Sequence, residues 1–297
     1  MNGYNEFLSS DEVIYIVSNL TVDDQAFLVG GQAASLWAEY YVQFEPELSQ
    51  YEPFTTKDVD YFGGVKAAEK LAAAINGKVV LPSKDTMNSN STALVEASVN
   101  DRTVVIDFLH DIIGVNRKEF EKGVATILLK TEKGQTIEIP LMHPVLCLKS
   151  RLGNMLSAAT MRRDEVATRQ AHAAVLVVKA YIEEALRDND VKEAMRCLFD
   201  VLHYVNSDMY GRNAHVDPGI DALTIVKAFA DDDRLNPIWR EKNLHPFIGK
   251  VETKRAERSQ RLSDRSGGSK YRARHHHNDG ENNDGGDGSG GGASSGP

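Results

Sequence analysis

Two stretches decide how this chain is read: Phe27-Leu28-Val29-Gly30-Gly31, and further on Thr55-Thr56-Lys57-Asp58-Val59-Asp60-Tyr61-Phe62. The first is an apolar run ending in a glycine pair. A helical pattern follows it from Gln32 to Tyr41, with Ala34, Leu36, Trp37, Tyr40 and Tyr41 as its apolar members. Glycines at a strand-to-helix turn let the backbone approach another group closely. They also leave amide N–H groups facing out of a helix N-terminus, where phosphate binds well. The second stretch predicts a short strand whose alternation places Asp58 and Asp60 on one face. Two carboxylates side by side repel unless a cation lies between them. Oxygen-only ligands beside a phosphate suit Mg²⁺ or Mn²⁺. The competing reading of the aspartates is a helix cap or a turn pair.

Working outward, residues 9–20 predict a helix capped by Ser9 or Ser10, and Ala26–Val29 a buried strand. Residues 42–55, with Pro46 and Pro53, predict an irregular segment. Val65–Ile75 reads as a helix stopped by Asn76-Gly77, and Lys78–Leu81 as a strand. Ser83–Ser91 is a polar loop. Thr92–Val99 and Arg102–Leu109 form a hairpin around Asn100-Asp101, and residues 124–130 and 135–141 a second pair around Lys133-Gly134. From His143 the pattern turns helical. Pro144 opens the first helix, followed by helices over Asp164–Arg187, Val191–Asn206, Pro218–Ala230 and Asn236–Asn243.

The fold class expected is therefore α+β: a small mixed-sheet domain over 1–141, an α-helical domain over 142–249, and a tail over 250–297. Residues 250–274 carry nine Lys/Arg against three Asp/Glu, with Lys254, Arg258, Arg261 and Arg265 at helical spacing. That stripe reads as a solvated basic segment or as a track for an RNA backbone. His275-His276-His277 and the Asn, Asp, Gly and Ser that follow lack core formers and predict disorder.

The chain has 297 residues, 41% hydrophobic residues and a net charge of −9. It can build a sizeable core, and its balance argues against a general nucleic-acid coat protein. Cys147 and Cys197 lie in apolar helical contexts and read as reduced, buried thiols. With no visible secretory signal and no apolar run of the ~20 residues a bilayer requires, a cytoplasmic protein with no membrane partner is the expectation. Zinc-type Cys/His spacing, a Walker-type loop and the local motifs of serine hydrolases and cysteine proteases are missing.

A third carboxylate, Asp107, ends the apolar run Val104-Val105-Ile106-Asp107. An acid in such a strand is costly unless neutralised. The alternative is an Asp at the strand's exposed end. Gly-Gly before a helix, then Thr-x-Asp-x-Asp, then a carboxylate on a later strand, resembles the nucleotidyltransferase superfamily with the DNA polymerase β-like fold. Within it the chain is similar to stand-alone bacterial nucleotidyltransferases related to abortive-infection toxins, over roughly residues 20–170. The resemblance implies that Asp58, Asp60 and Asp107 are the catalytic, metal-holding residues and Gly30 and Gly31 cradle the nucleotide. An acceptor hydroxyl would attack the α-phosphorus of an NTP, pyrophosphate would leave, and Asp107 would take the proton. It also implies a nucleotide-binding role for Lys149 and for Arg163 in the Arg162-Arg163-Asp164 segment. A snorkelling surface role is the alternative for Lys149. Two departures stand out. The Gly31–Asp58 spacing exceeds the family's usual one, which we read as a helix extension plus a loop insertion. A second Asp expected soon after Asp164 is replaced by Val166-Ala167-Thr168-Arg169.

The acceptor implied is RNA, tRNA included, or protein, and an antitoxin partner is implied with it. Two other functions fit the same residues: an inactive nucleotidyltransferase fold serving as a binding module or nucleotide sensor, and a metal-dependent phosphohydrolase using the same aspartates.

Overall fold

The structure is a computed structural model; it describes residues 7–54, 58–83, 90–120, 123–130, 134 and 136–274. The chain divides into two compact units, Met1–Ile248 and Gly249–Pro297.

The first unit opens with α1 (Ser10–Val17), started by the expected cap. The Ser9 hydroxyl accepts from the Glu12 amide, and Glu12 reaches back to the Ser9 amide. β1 (Phe27–Val29) is fully buried and runs directly into α2 (Gly30–Tyr41), which starts at the first glycine, two residues before the predicted position. Nine of the residues of α2 are buried, among them Ala33, Leu36, Trp37 and Tyr41. A helix apolar around so much of its circumference must be covered on more than one side. It lies against β2 (Val59–Phe62), α5 (Pro144–Leu156) and α6 (Glu165–Arg187). The Trp37 indole N–H donates to the Met142 carbonyl at 2.9 Å, satisfying that nitrogen inside the core.

Between α2 and β2 the irregular segment contains a 3₁₀ helix, Pro46–Tyr51, whose Leu48 is buried. α3 (Val65–Ala74) packs over β3 (Lys78–Val80) and β4 (Ser91–Val99). β4 and β5 (Arg102–Leu109) form the predicted hairpin, and Asn100 and Asp101 take the positive φ its turn requires. After a short helix, α4 (Arg117–Phe120), β6 (Val124–Lys130) pairs with β7 (Thr136–Met142). Lys133 of the second turn and most of the loop at 83–91 lie outside the described residues.

The seven strands of the described residues join one sheet in the order β3-β4-β5-β2-β1-β7-β6. β1 runs antiparallel to β2 and parallel to β7, and β2 runs parallel to β5. This mixed sheet, followed by helices, is the α+β class the sequence predicts. One hydrophobic core runs from Leu8 through the sheet into Leu146 and Cys147 of α5 and Leu176, Val177 and Ala180 of α6. Both cysteines are buried and unbridged.

The helical part continues through α7 (Val191–Ser207), α8 (Met209–Asn213), α9 (Leu223–Ala228) and α10 (Pro237–Trp239). α9 is shorter than the predicted 218–230. Gly219 sits in the left-handed region, and the Asp221 carboxylate accepts from the Leu223 amide, so helix begins only there. The predicted Asn236–Asn243 helix is one turn followed by a wider π-helical stretch, Arg240–Leu244.

α11 spans His245–Arg274, and in the second unit Lys254, Arg258 and Arg261 are exposed along it. Residues 275–297, with their three histidines, lie outside the described residues. No helix among the described residues is long and apolar enough to cross a membrane.

Candidate active site

The centre of the site is the junction of β1, β2 and the N-terminus of α2. Antiparallel pairing sets Val29 opposite Asp60, so the first glycine follows the very residue that faces the aspartate. Gly30 takes φ +67°, and a Cβ built on it would lie 2.2 Å from Asp60 Oδ2. Only glycine satisfies both conditions. The long Gly31–Asp58 spacing is thus closed by strand pairing, with the 3₁₀ segment looped out between. Val29, at the N-cap of α2, makes no side-chain cap, and the first turn of the helix starts beside the same space.

Asp60 is in turn the register partner of Asp107 across the parallel β2/β5 ladder. Partners in a ladder share a face, so the two carboxyl groups lie on the same side of the sheet. The next pair, Tyr61 and Phe108, stacks on the opposite side with ring centroids 5.3 Å apart. Asp58 falls just before the strand rather than in it, is exposed, and lies close enough to influence both other carboxyl groups. Burial pushes the Asp60 carboxyl up to about 6, opposed by Arg151 and Arg162 and reinforced by Asp107 and Asp58. Burial also raises Asp107, and the Ser91 hydroxyl, donating to its Oδ1 at 2.6 Å, works against that rise. Asp60 and Asp107 are both raised, by burial first and by neighbouring carboxylates second, which a nearby cation would oppose. Oxygen-only ligands beside a glycine cradle are the type that Mg²⁺ or Mn²⁺ takes, whereas the described residues whose ligand atoms already converge to within 4.8 Å are His143, Glu193 and Cys197.

A cavity of about 410 Å³ opens on this edge. Gly31, Asp58 and Asp60 form one wall, and Arg151, Asn154, Arg162 and Gln170 of the helical part form the other. Arg151 is buried on α5. Its guanidinium donates to Gln170 Oε1 at 3.0 Å and to the Ser150 hydroxyl at 3.3 Å, while Nε has no partner among the described residues. Arg162 is exposed at the rim, its backbone held by the Asn154 carbonyl at 3.0 Å. Asp164 also lines the cavity, with its carboxylate capping α6 through the Ala167 amide at 2.9 Å.

The two cations predicted to meet the nucleotide sit elsewhere. Lys149 is buried, ion-paired with Glu119, and lies over the Tyr204 ring at 5.7 Å, in a different cavity. One turn of α5 places residues 149 and 151 on different faces, so only Arg151 can look toward Asp60. Arg163 forks onto Asp217 at 3.1 and 3.0 Å on the exposed surface. Arg162 beside it faces the cavity instead. The sequence marks the basic segments but does not say which of their cations face this cavity. A period-3.6 count from Asp164, the helix cap, says nothing about the loop before it.

No family model and no curated protein matches the chain. Among solved structures it is similar to the crystal structure of an antigenic nucleotidyltransferase-like protein from Paracoccidioides brasiliensis. That likeness is 14% in identity with a TM-score of 0.35, and it covers 65% of this chain and 95% of that one.

Proposed function

We propose that this chain is a metal-dependent nucleotidyltransferase that moves an NMP from an NTP to a hydroxyl acceptor. The observation that carries the proposal is the fit of Gly30 against Asp60, with Asp107 in register beside it. It joins a phosphate-suited helix start to an acidic cluster, which neither an ordinary turn nor a capping pair requires. Asp58, Asp60 and Asp107 would hold Mg²⁺ or Mn²⁺, which when bound neutralises triphosphate charge and acidifies the acceptor hydroxyl. The first-turn amides of α2 and the Arg151 and Arg162 guanidiniums orient the phosphates from opposite walls. Asp107 receives the proton that the acceptor hydroxyl loses as its oxygen bonds to the α-phosphorus and the bond to pyrophosphate breaks. Residues 142–249 act as the part that covers the nucleotide. The family resemblance extends the proposal to an RNA or protein acceptor and to a toxin's role, with an antitoxin as partner.

The test is incubation with each α-labelled NTP, Mg²⁺ and cell extract, beside the Asp58→Ala/Asp60→Ala double variant. Label on RNA or protein that vanishes in the variant is expected, with release of pyrophosphate. Label surviving in the variant removes the catalytic assignment. Phosphate or nucleoside monophosphate released without any labelled acceptor turns the reading to a phosphohydrolase. No turnover of any nucleotide favours a binding module.

A further inference from the structure

The start of β4 carries an irregularity that bears on Asp107. Along most of the β4/β5 hairpin the pairing is regular, from Val99↔Arg102 to Ala93↔Phe108, with Leu94 opposite Asp107. The register then shifts, and Ser91, rather than Thr92, pairs with Leu109. Asp107 and Leu109 are two residues apart and share a face, so their partners Leu94 and Ser91 share it too. Three residues apart, they can do so only because Thr92 is the extra residue of a bulge. Thr92 then fixes the bulge. Its hydroxyl lies 2.8 Å from the Gly63 carbonyl and 2.7 Å from that of Phe108, tying β4 to β5 and to the end of β2. The result is a serine hydroxyl on the carboxylate face, 2.6 Å from Asp107 Oδ1. The Ala93 carbonyl competes for the same proton at 3.3 Å. The shorter contact has the length of a charge-assisted O–H···O⁻ bond, and an ionised carboxylate can only accept.

We infer that Ser91 is a positioning residue for the metal-holding carboxylate Asp107, delivered to it by the bulge at Thr92. The inference rests on the nucleotidyltransferase reading of the acidic cluster. By occupying Oδ1 in a fixed direction, Ser91 limits the rotamers of Asp107. One carboxylate of the set is then aimed before an ion arrives. Partners that orient metal-holding carboxylates in this way act strongly on affinity.

Mn²⁺ binding to the full chain, followed by electron paramagnetic resonance of the free ion, tests this without turnover. Ser91→Ala should weaken Mn²⁺ binding about 10-fold in protein that is still folded at the assay temperature, and Ser91→Thr should restore it. In nucleotidyl transfer, the half-saturating metal concentration should rise in Ser91→Ala with the KM for NTP unchanged. Ser91→Cys, close in volume and a weak donor, gives the same comparison if the alanine variant does not fold. Wild-type binding with Ser91→Ala equal to it overturns the positioning role and leaves the cluster standing. A wild-type chain that binds no Mn²⁺ overturns the cluster and this role together.

Discussion

Gly30 and Asp60 pack so closely that a Cβ on the first would collide with the carboxylate of the second. The glycine backbone is left-handed, and the carboxylate oxygen lies 2.2 Å from where its Cβ would be. Gly30→Ala should therefore destabilise by about 2 kcal/mol or more, combining left-handed strain with a clash against the half-buried Asp60 side chain. Gly219 shares the positive φ but has nothing within 4 Å, so Gly219→Ala should cost about 1 kcal/mol, the strain alone. Chemical denaturation of the two variants checks the difference, and equal losses would mean that Asp60 moves aside freely.

The carboxyl of Asp60 is held near 6 against an ordinary value of 3.8. The folded chain therefore keeps that proton longer than the unfolded chain. The associated penalty is nil below about pH 3.8, grows as pH rises to 6, and is constant above. Asp60→Asn should stabilise the metal-free protein at pH 7 by about 1–3 kcal/mol and flatten its stability between pH 4 and 6. Millimolar Mg²⁺ should raise the melting temperature of the wild type and leave Asp60→Asn unmoved. Thermal melts over pH, with and without Mg²⁺, decide it.

Arg151 and Arg162 line the cavity, whereas Arg163 is spent on Asp217 at the surface. Arg162→Gln should raise the KM for NTP about 10-fold with small effect on stability. Arg163→Gln should change nucleotide binding little and stability by less than about 1 kcal/mol, as exposed pairs do. For Arg151, replacement by Lys should not rescue, because a compact ammonium lacks the planar fork whose two nitrogens reach Gln170 and Ser150 separately. Equilibrium binding of a non-hydrolysable NTP ranks the three.

Trp37 joins α2 to the end of β7 through its bond to the Met142 carbonyl. Trp37→Phe should cost about 1 kcal/mol for the lost bond, since the Cys147 thiol still donates to the Met142 carbonyl at 3.3 Å, and should leave NTP affinity unchanged once the protein is folded. Denaturation and nucleotide titration of the same sample separate the two effects.

Local chemistry made much of this protein legible from its residues. Period and capping placed α1, α3, α5, α6 and α7, and the turn at Asn100-Asp101 announced its hairpin. These signals depend on groups within a few residues of one another. The glycine turn and the three aspartates were visible for the same reason. What the sequence could not supply was pairing between distant strands. The register Val29↔Asp60 brings Gly30 to Asp60 across the long insertion, and Asp60↔Asp107 joins them to the third carboxyl. That Arg151 and Arg162 line the cavity while Lys149 and Arg163 do not is of the same kind. The sequence by itself determined which chemical groups exist and which local elements carry them. Only the tertiary structure decided which of them meet, because strand register and helix facing are set by how separate apolar faces bury one another.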